Sequence, residues 1–189
     1  MSWTQSIAPA KAGAEVAVTF EAIRARSSRH EVSNVWRSLA ADPAILAGAF
    51  GHYAALLEDP APLTAAQVQM LALVVSATNG CGYCVSHAGP RLAAVAGEEL
   101  ARAVARDYRE ANLTARDRVL LDAAVAMTCE PSERKAEDVE RLREYGFDDA
   151  GIVKATAIAA YYNFINRIVS ALGVEREPEC TAWEFGAQR

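Results

Sequence analysis

Leu71-Ala72-Leu73-Val74-Val75-Ser76-Ala77-Thr78-Asn79-Gly80-Cys81-Gly82-Tyr83-Cys84-Val85-Ser86-His87 is the stretch whose reading decides the fold. Leu71, Val74, Val75 and Thr78 recur at helical spacing, and Asn79-Gly80 is a turn signal that stops that helix. Beyond the turn, Cys81 and Cys84 are three residues apart and His87 lies three further on, so a helix starting near Cys81 carries both sulfurs and the imidazole on one flank. The unpaired N–H groups of a helix start carry partial positive charge, which favours a thiolate and makes a better nucleophile. A tetrahedral zinc site would need two more ligands, and no second Cys-x-x-Cys or His-x-x-x-His spacing follows, so no metal is expected at this pair. Thiol redox chemistry accounts best for the spacing, with the cysteine pair itself in place of any bound cofactor.

Reading outward, Thr64-Ala65-Ala66-Gln67 has capping-box spacing and opens the helix that leads to Asn79. Before it, Val16, Phe20 and Ile23 mark one helix and Glu31 to Leu39 a second, with Trp36 as a core residue. Asp42-Pro43 starts a third helix, which ends before Asp59-Pro60-Ala61-Pro62 and carries His52 on its flank as a bystander. After the cysteines, Pro90 removes the donor for the Ser86 carbonyl, so a kink or restart is expected there, with helix continuing across Gly97. Asp148 to Leu172 is the longest helical pattern. Its polar side of Tyr161, Tyr162, Asn163, Asn166 and Arg167 suits hydrogen bonding between helices.

The second half repeats the first at an offset of 50, setting Leu63-Thr64-Ala65 over Leu113-Thr114-Ala115, Leu71 over Leu121, Val75 over Val125 and Thr78 over Thr128. At that offset Cys81 faces Pro131, Cys84 faces Arg134 and His87 faces Glu137, so the second copy has the scaffold without the thiols. Cys129 is expected to be a small buried residue.

The 189 residues suit one domain, with residues 1–13 as an arm and 175–189 as a tail whose Trp183 and Phe185 are expected to pack on a neighbouring subunit. A hydrophobic fraction of 52% with 23% charged is ordinary for a globular chain. The net charge of −5 and the lack of any basic run exclude nucleic-acid binding as the main role. No apolar run has membrane-spanning length and the start lacks the pattern of a leader, so a cytoplasmic protein is expected. In a reducing compartment a close cysteine pair cycles rather than staples.

Several of these segments together, Leu71 to Cys84, Leu113 to Thr128, Leu142-Arg143-Glu144-Tyr145-Gly146 and Tyr161 to Arg167, resemble the peroxidase-related branch of the alkylhydroperoxidase D-like family, within the carboxymuconolactone decarboxylase superfamily. The resemblance runs from about Phe20 to Val174. It implies an all-α helical bundle, a homo-oligomer, and a thiol peroxidase or disulfide reductase that takes a hydroperoxide as substrate and a dithiol protein as reductant. The catalytic cysteines carry over onto Cys81 and Cys84. The family gives the attack on peroxide to the second, whereas exposure at a helix start favours the first.

Two positions depart from the family. Its relay glutamate, twelve residues before the first cysteine, is Gln69 here, and its relay histidine, four residues after the second, is Ala88. His87 is the available substitute, on the opposite side of the Cys84 sulfur, with Gln69 left to position a water or a sulfur. Gln69 cannot accept a proton at neutral pH, and general-base help is worth about 10²- to 10⁴-fold, so without a replacement relay peroxide turnover is expected to be slow. The alternatives are a module whose pair changes oxidation state without turnover, and a lactone or decarboxylase-type enzyme that needs no thiols.

Overall fold

The computed structural model describes residues 2–27 and 30–186. The described residues form helices and no strand, as expected of an all-α bundle. In chain order the helices are α1 (Ala14–Arg26), α2 (Asn34–Leu39), α3 (Pro43–Leu57), α4 (Ala65–Thr78), α5 (Gly82–Ala96), α6 (Glu98–Asp107), α7 (Ala115–Cys129), α8 (Ala136–Glu144) and α9 (Asp149–Ala171).

The centre of the bundle is α4. Met70 to Ala77 is 0 to 2% exposed on every side, because α5, α6, α7 and α9 all pack against it. A helix apolar all round is stable only when enclosed in this way. Each fully buried Leu or Val contributes about 1.5–3 kcal/mol. The Thr64 capping box starts it: Thr64 Oγ1 accepts from the Gln67 amide at 3.1 Å, and Gln67 Oε1 accepts from the Thr64 amide at 3.0 Å.

The internal repeat is visible as structure. An offset of 50 superposes the bounds of α4 on those of α7 to within a residue, and Thr114 caps α7 as Thr64 caps α4. The two caps also meet, since Gln67 Nε2 donates to Asp117 Oδ1 at 2.8 Å. Thr78 and Thr128 both donate to the carbonyl four residues back, at 2.7 Å. The copies diverge after that, where α5 faces a short 3-10 turn, Pro131–Glu133, and the shorter α8.

Four expectations are corrected. Helix α5 runs unbroken through Pro90, and the break falls at Gly97, whose φ of 92° L side chains rarely adopt. Pro90 leaves only one carbonyl without its helical donor. Cys129 is exposed at the end of α7 rather than buried. The tail packs on its own chain: Trp183 and Phe185 lie against the core, the Arg102 guanidinium sits 4.7 Å over the Trp183 ring, and Gly186 N–H donates to Ala105 O at 3.1 Å. The N-terminal arm is also fastened, with Trp3 N–H donating to Leu172 O and Ile7 N–H to Arg37 O. Part of the expected tail, residues 187–189, and Met1 of the arm lie outside the described residues.

The turn between α4 and α5 fixes the thiols. Gly80, at φ 68°, follows Asn79, the C-cap of α4; its N–H donates to Ala77 O at 3.0 Å, and Cys81 N–H donates to Ser76 O at 2.9 Å. These two bonds are the Schellman closure of a helix, and they hold Cys81 as both the end of one helix and the N-cap of the next. A Cβ at Gly80 would meet nothing within 4 Å, so substitution there tests backbone strain alone. Gly80→Ala should lower stability by about 1–2 kcal/mol and Gly80→Asn by less, because Asn tolerates the left-handed region. Urea denaturation of the three chains checks the order.

Candidate active site

Cys81 and Cys84 lie at the start of α5 with their sulfurs 2.8 Å apart, sharing a hydrogen bond and no disulfide. Both are buried, at 3% and 6% exposure, so the greater exposure expected of Cys81 is not found. Their acidities are pushed in opposite directions. The Cys81 thiol is lowered, first by the hydrogen bond from Cys84, with burial working against it and the amides of Cys84 and Tyr83 adding to the lowering. No ordinary side-chain capping bond forms at Cys81, so the amides act through their charge distribution. The Cys84 thiol is raised well above the usual range, first by burial, then by its hydrogen bond to Cys81 and the charge there. Asn166 and Arg91 oppose this, by a hydrogen bond and by positive charge. Of the two sulfurs, Cys81 therefore loses its proton more readily than Cys84.

A polar ladder, buried at Ser76 and Asn166 and half-buried at Asn79, Asn163 and Thr128, joins the turn before the pair to α9 and α7. Asn79 Nδ2 donates to Asn163 Oδ1 at 3.1 Å and to Asn166 Oδ1 at 3.0 Å, while Asn166 Nδ2 donates to Ser76 Oγ at 3.2 Å. Asn163 Nδ2 continues to Thr128 Oγ1 at 2.9 Å. The polar side of α9 thus does bond between helices, and through Asn166 it also reaches Cys84.

Cys84 borders a small cavity of about 60 Å³ whose wall includes Tyr83, His87, Arg91, Tyr161 and Tyr162. Neither Cys81 nor Gln69 lines it. Burial, first, raises the Tyr161 and Tyr162 hydroxyls above the ordinary tyrosine range, which keeps them protonated. Ser33, Trp36, Tyr53, His87 and Arg91 belong both to this wall and to that of a wider groove, so the cavity opens outward past them. Arg91 is exposed at that mouth, with its guanidinium 5.8 Å from the centre of the Tyr53 ring.

His87 is placed one turn beyond Cys84, yet no hydrogen bond joins it to either sulfur. Its Nε2 lies 2.8 Å from Glu177 Oε2 and 3.9 Å from Cys180 Sγ, both on the tail. Glu177 Oε1 accepts from Tyr83 Oη at 2.9 Å and from the Asn34 amide at 2.6 Å. Burial would raise the Glu177 carboxyl, but the His87 bond, the Asn34 amide and the His87 charge outweigh it and bring it down to about 2. Gln69 takes no part, and its Oε1 is buried without a partner. The sequence reading missed Glu177, Arg91 and the Asn166 contact. Of these, only Asn166 gave a signal, as a polar residue on an otherwise apolar helix.

Comparison with known proteins gives the family and the fold. The pattern of the carboxymuconolactone decarboxylase family matches residues 43–105, which span α3 to most of α6. A peroxidase-related protein of Silicibacter sp. TM1040 is 30% identical, with 89% of this chain and 88% of that one covered and a TM-score of 0.81. The chain belongs to the carboxymuconolactone decarboxylase family. Within that family its likeness is to alkylhydroperoxidase D-like, peroxidase-related proteins, including an alkylhydroperoxidase AhpD core protein of Ralstonia eutropha JMP134 at 27% identity, 94% and 93% coverage and TM-score 0.85. The debrominase Bmp8, at 16% identity, 92% and 91% coverage and TM-score 0.78, is similar in fold. Comparison with curated proteins yields no match. Among the described residues no helix of this family member is long and apolar enough to cross a membrane.

The tail's seat on α5 depends on Gly89. A Cβ there would lie 2.6 Å from Trp183 Cδ2 and 2.8 Å from Cζ3, whereas one at Gly82 would come no nearer to Phe185 than 3.5 Å. Gly89→Ala should therefore release the tail and speed proteolysis within residues 175–186, with far-ultraviolet circular dichroism unchanged, while Gly82→Ala leaves the cleavage rate alone.

Proposed function

We propose that the protein is a thiol-dependent peroxidase of the antioxidant type, in which Cys84 attacks a hydroperoxide and Cys81 serves first as base and then as resolving thiol. The observation that carries the reading is the contact of two sulfurs with opposed acidities, one of which borders a cavity. Volume favours a hydroperoxide over a protein disulfide as the oxidant, since about 60 Å³ holds about two waters. The O–OH end fits, and the rest of an organic hydroperoxide would lie in the outer groove.

The electron count closes on the pair. As the Cys84 sulfur attacks the terminal oxygen of ROOH, its proton passes to the Cys81 thiolate, the S–O bond forms and the O–O bond breaks, leaving Cys84–SOH and RO⁻. The alkoxide takes the proton from Cys81 and leaves as ROH. The Cys81 thiolate then attacks the sulfenic sulfur, forming the disulfide and expelling hydroxide. A dithiol protein supplies the two electrons that restore the pair. In this sequence Cys81 does the work first assigned to His87 and Gln69, and Arg91 and Asn166 stabilise the transient Cys84 thiolate.

Mass analysis of the reduced protein after one equivalent of alkyl hydroperoxide should find a Cys81–Cys84 disulfide. Cys81→Ser should trap a sulfenic acid on Cys84, and Cys84→Ser should trap none. A pair that stays reduced while peroxide persists would overturn the reading. A single oxidation without turnover by any dithiol would make the pair a sensor, and activity retained by Cys81→Ser/Cys84→Ser would point to the family's thiol-independent chemistry.

The pH dependence follows from Cys81. Its lowered pKa means the working thiolate is present above that value and lost as pH falls through it. The rate of disulfide formation should fall on acidification with a midpoint below the ordinary thiol range near 9. In Cys81→Ser the oxidation of Cys84 should be slower by about 10²- to 10⁴-fold at neutral pH, the usual worth of a general base. Stopped-flow measurement across pH checks both.

A further inference from the structure

The tail brings a third thiol to the molecule's chemistry. His87 Nε2, a Glu177 carboxylate oxygen and Cys180 Sγ all lie within 4.8 Å of one another, although Cys180 is 93 residues from His87 in the chain. The arrangement is unlike a proton relay. A relay uses the two ring nitrogens for two partners, but here the carboxylate and the thiol both face Nε2. A single nitrogen cannot donate its proton to Glu177 and also accept one from Cys180. Three donor atoms of different chemistry instead surround one point.

We propose that His87, Glu177 and Cys180 form a binding site for a divalent transition-metal ion, with Zn²⁺ the best fit. Nitrogen, oxygen and thiolate donors together are the usual zinc set, and three protein ligands leave a fourth position open to water. Bond lengths of about 2.0–2.3 Å in a tetrahedron set neighbouring donors about 3.3–3.6 Å apart. The observed 2.8 Å and 3.9 Å bracket that range and the carboxylate-to-sulfur pair lies within 4.8 Å, so shifts of about half an ångström at His87 and up to about 1.3 Å between Glu177 and Cys180 would close the site. A second observation points the same way. Glu177 Oε1 is held by Tyr83 Oη and the Asn34 amide, the kind of outer support that orients a ligating carboxylate. Binding would release the thiol proton of Cys180 and join the tail to α5 one turn beyond Cys84.

This inference does not rest on the peroxidase reading, and its test is run without the redox pair. The full chain carrying Cys81→Ser, Cys84→Ser and Cys129→Ser keeps Cys180 as its one thiol, and is titrated with Co²⁺ as a coloured substitute for Zn²⁺. The expected result is one Co²⁺ per chain, with a thiolate-to-cobalt charge-transfer band that Zn²⁺ abolishes. Adding Cys180→Ser should remove the band and weaken binding by more than about 100-fold. Adding Tyr83→Phe instead should keep the band and weaken binding about 10- to 100-fold. No saturable binding, or binding unchanged by Cys180→Ser, would overturn the proposal. If circular dichroism shows the triple variant unfolded, the ring resonances of His87 replace the titration: Zn²⁺ must shift them in the wild-type chain and not in Cys180→Ser, and an equal shift in both rejects the site.

Discussion

From Met70 to Thr78 helix α4 has no face turned to solvent, and the rest of the molecule follows from that constraint. Its last turn is buried as far as Thr78, where the end carbonyls have little access to water, and the chain touches the surface only at Gly80 before Cys81 is buried again. Gly80 and the Schellman bonds satisfy the backbone, while Asn163 and Asn166 of α9 satisfy the side chain of Asn79. A polar pocket is thereby built into the core, and the cysteines enter it on the next two turns. Their burial is a result of how α4 must stop.

Burial alone would keep both thiols protonated. Putting the sulfurs in contact changes the outcome, because the proton on one stabilises the charge on the other. The helix start assists Cys81, and Asn166 and Arg91 assist Cys84. In the proposed function the pair itself takes the place of the glutamate and histidine relay that the chain lacks. His87 meanwhile turns to the tail, which lies against α5 through Glu177, Cys180 and Trp183.

Much of this was legible in the sequence where one helix decides it. The Thr64 capping box, the stop at Asn79-Gly80, the shared flank of Cys81 and Cys84 and the offset-50 repeat all rest on local spacing. What was not legible depends on distant contact. Nothing within α5 says that His87 turns to Glu177, and nothing in the last segment says that Trp183 seats over Gly89. Pro90 and Gly97 were misread for a related reason. Gly97 takes up a φ of 92° at no steric cost and so turns the chain out of the helix, whereas Pro90 withholds one donor without turning it, so the glycine and not the proline ends α5.

The asymmetry between the repeated halves also determines where the chain can change length. Residues 130–133, which follow α7, are exposed, and an added residue there would extend into solvent. In the first copy the corresponding turn, although Gly80 is exposed, is tied back to α4 by the Gly80 and Cys81 amides. One residue inserted between Cys81 and Cys84 would turn one sulfur about 100° around the helix axis from the other. The duplicated scaffold therefore has one joint free to vary in length and one whose length is fixed by chemistry.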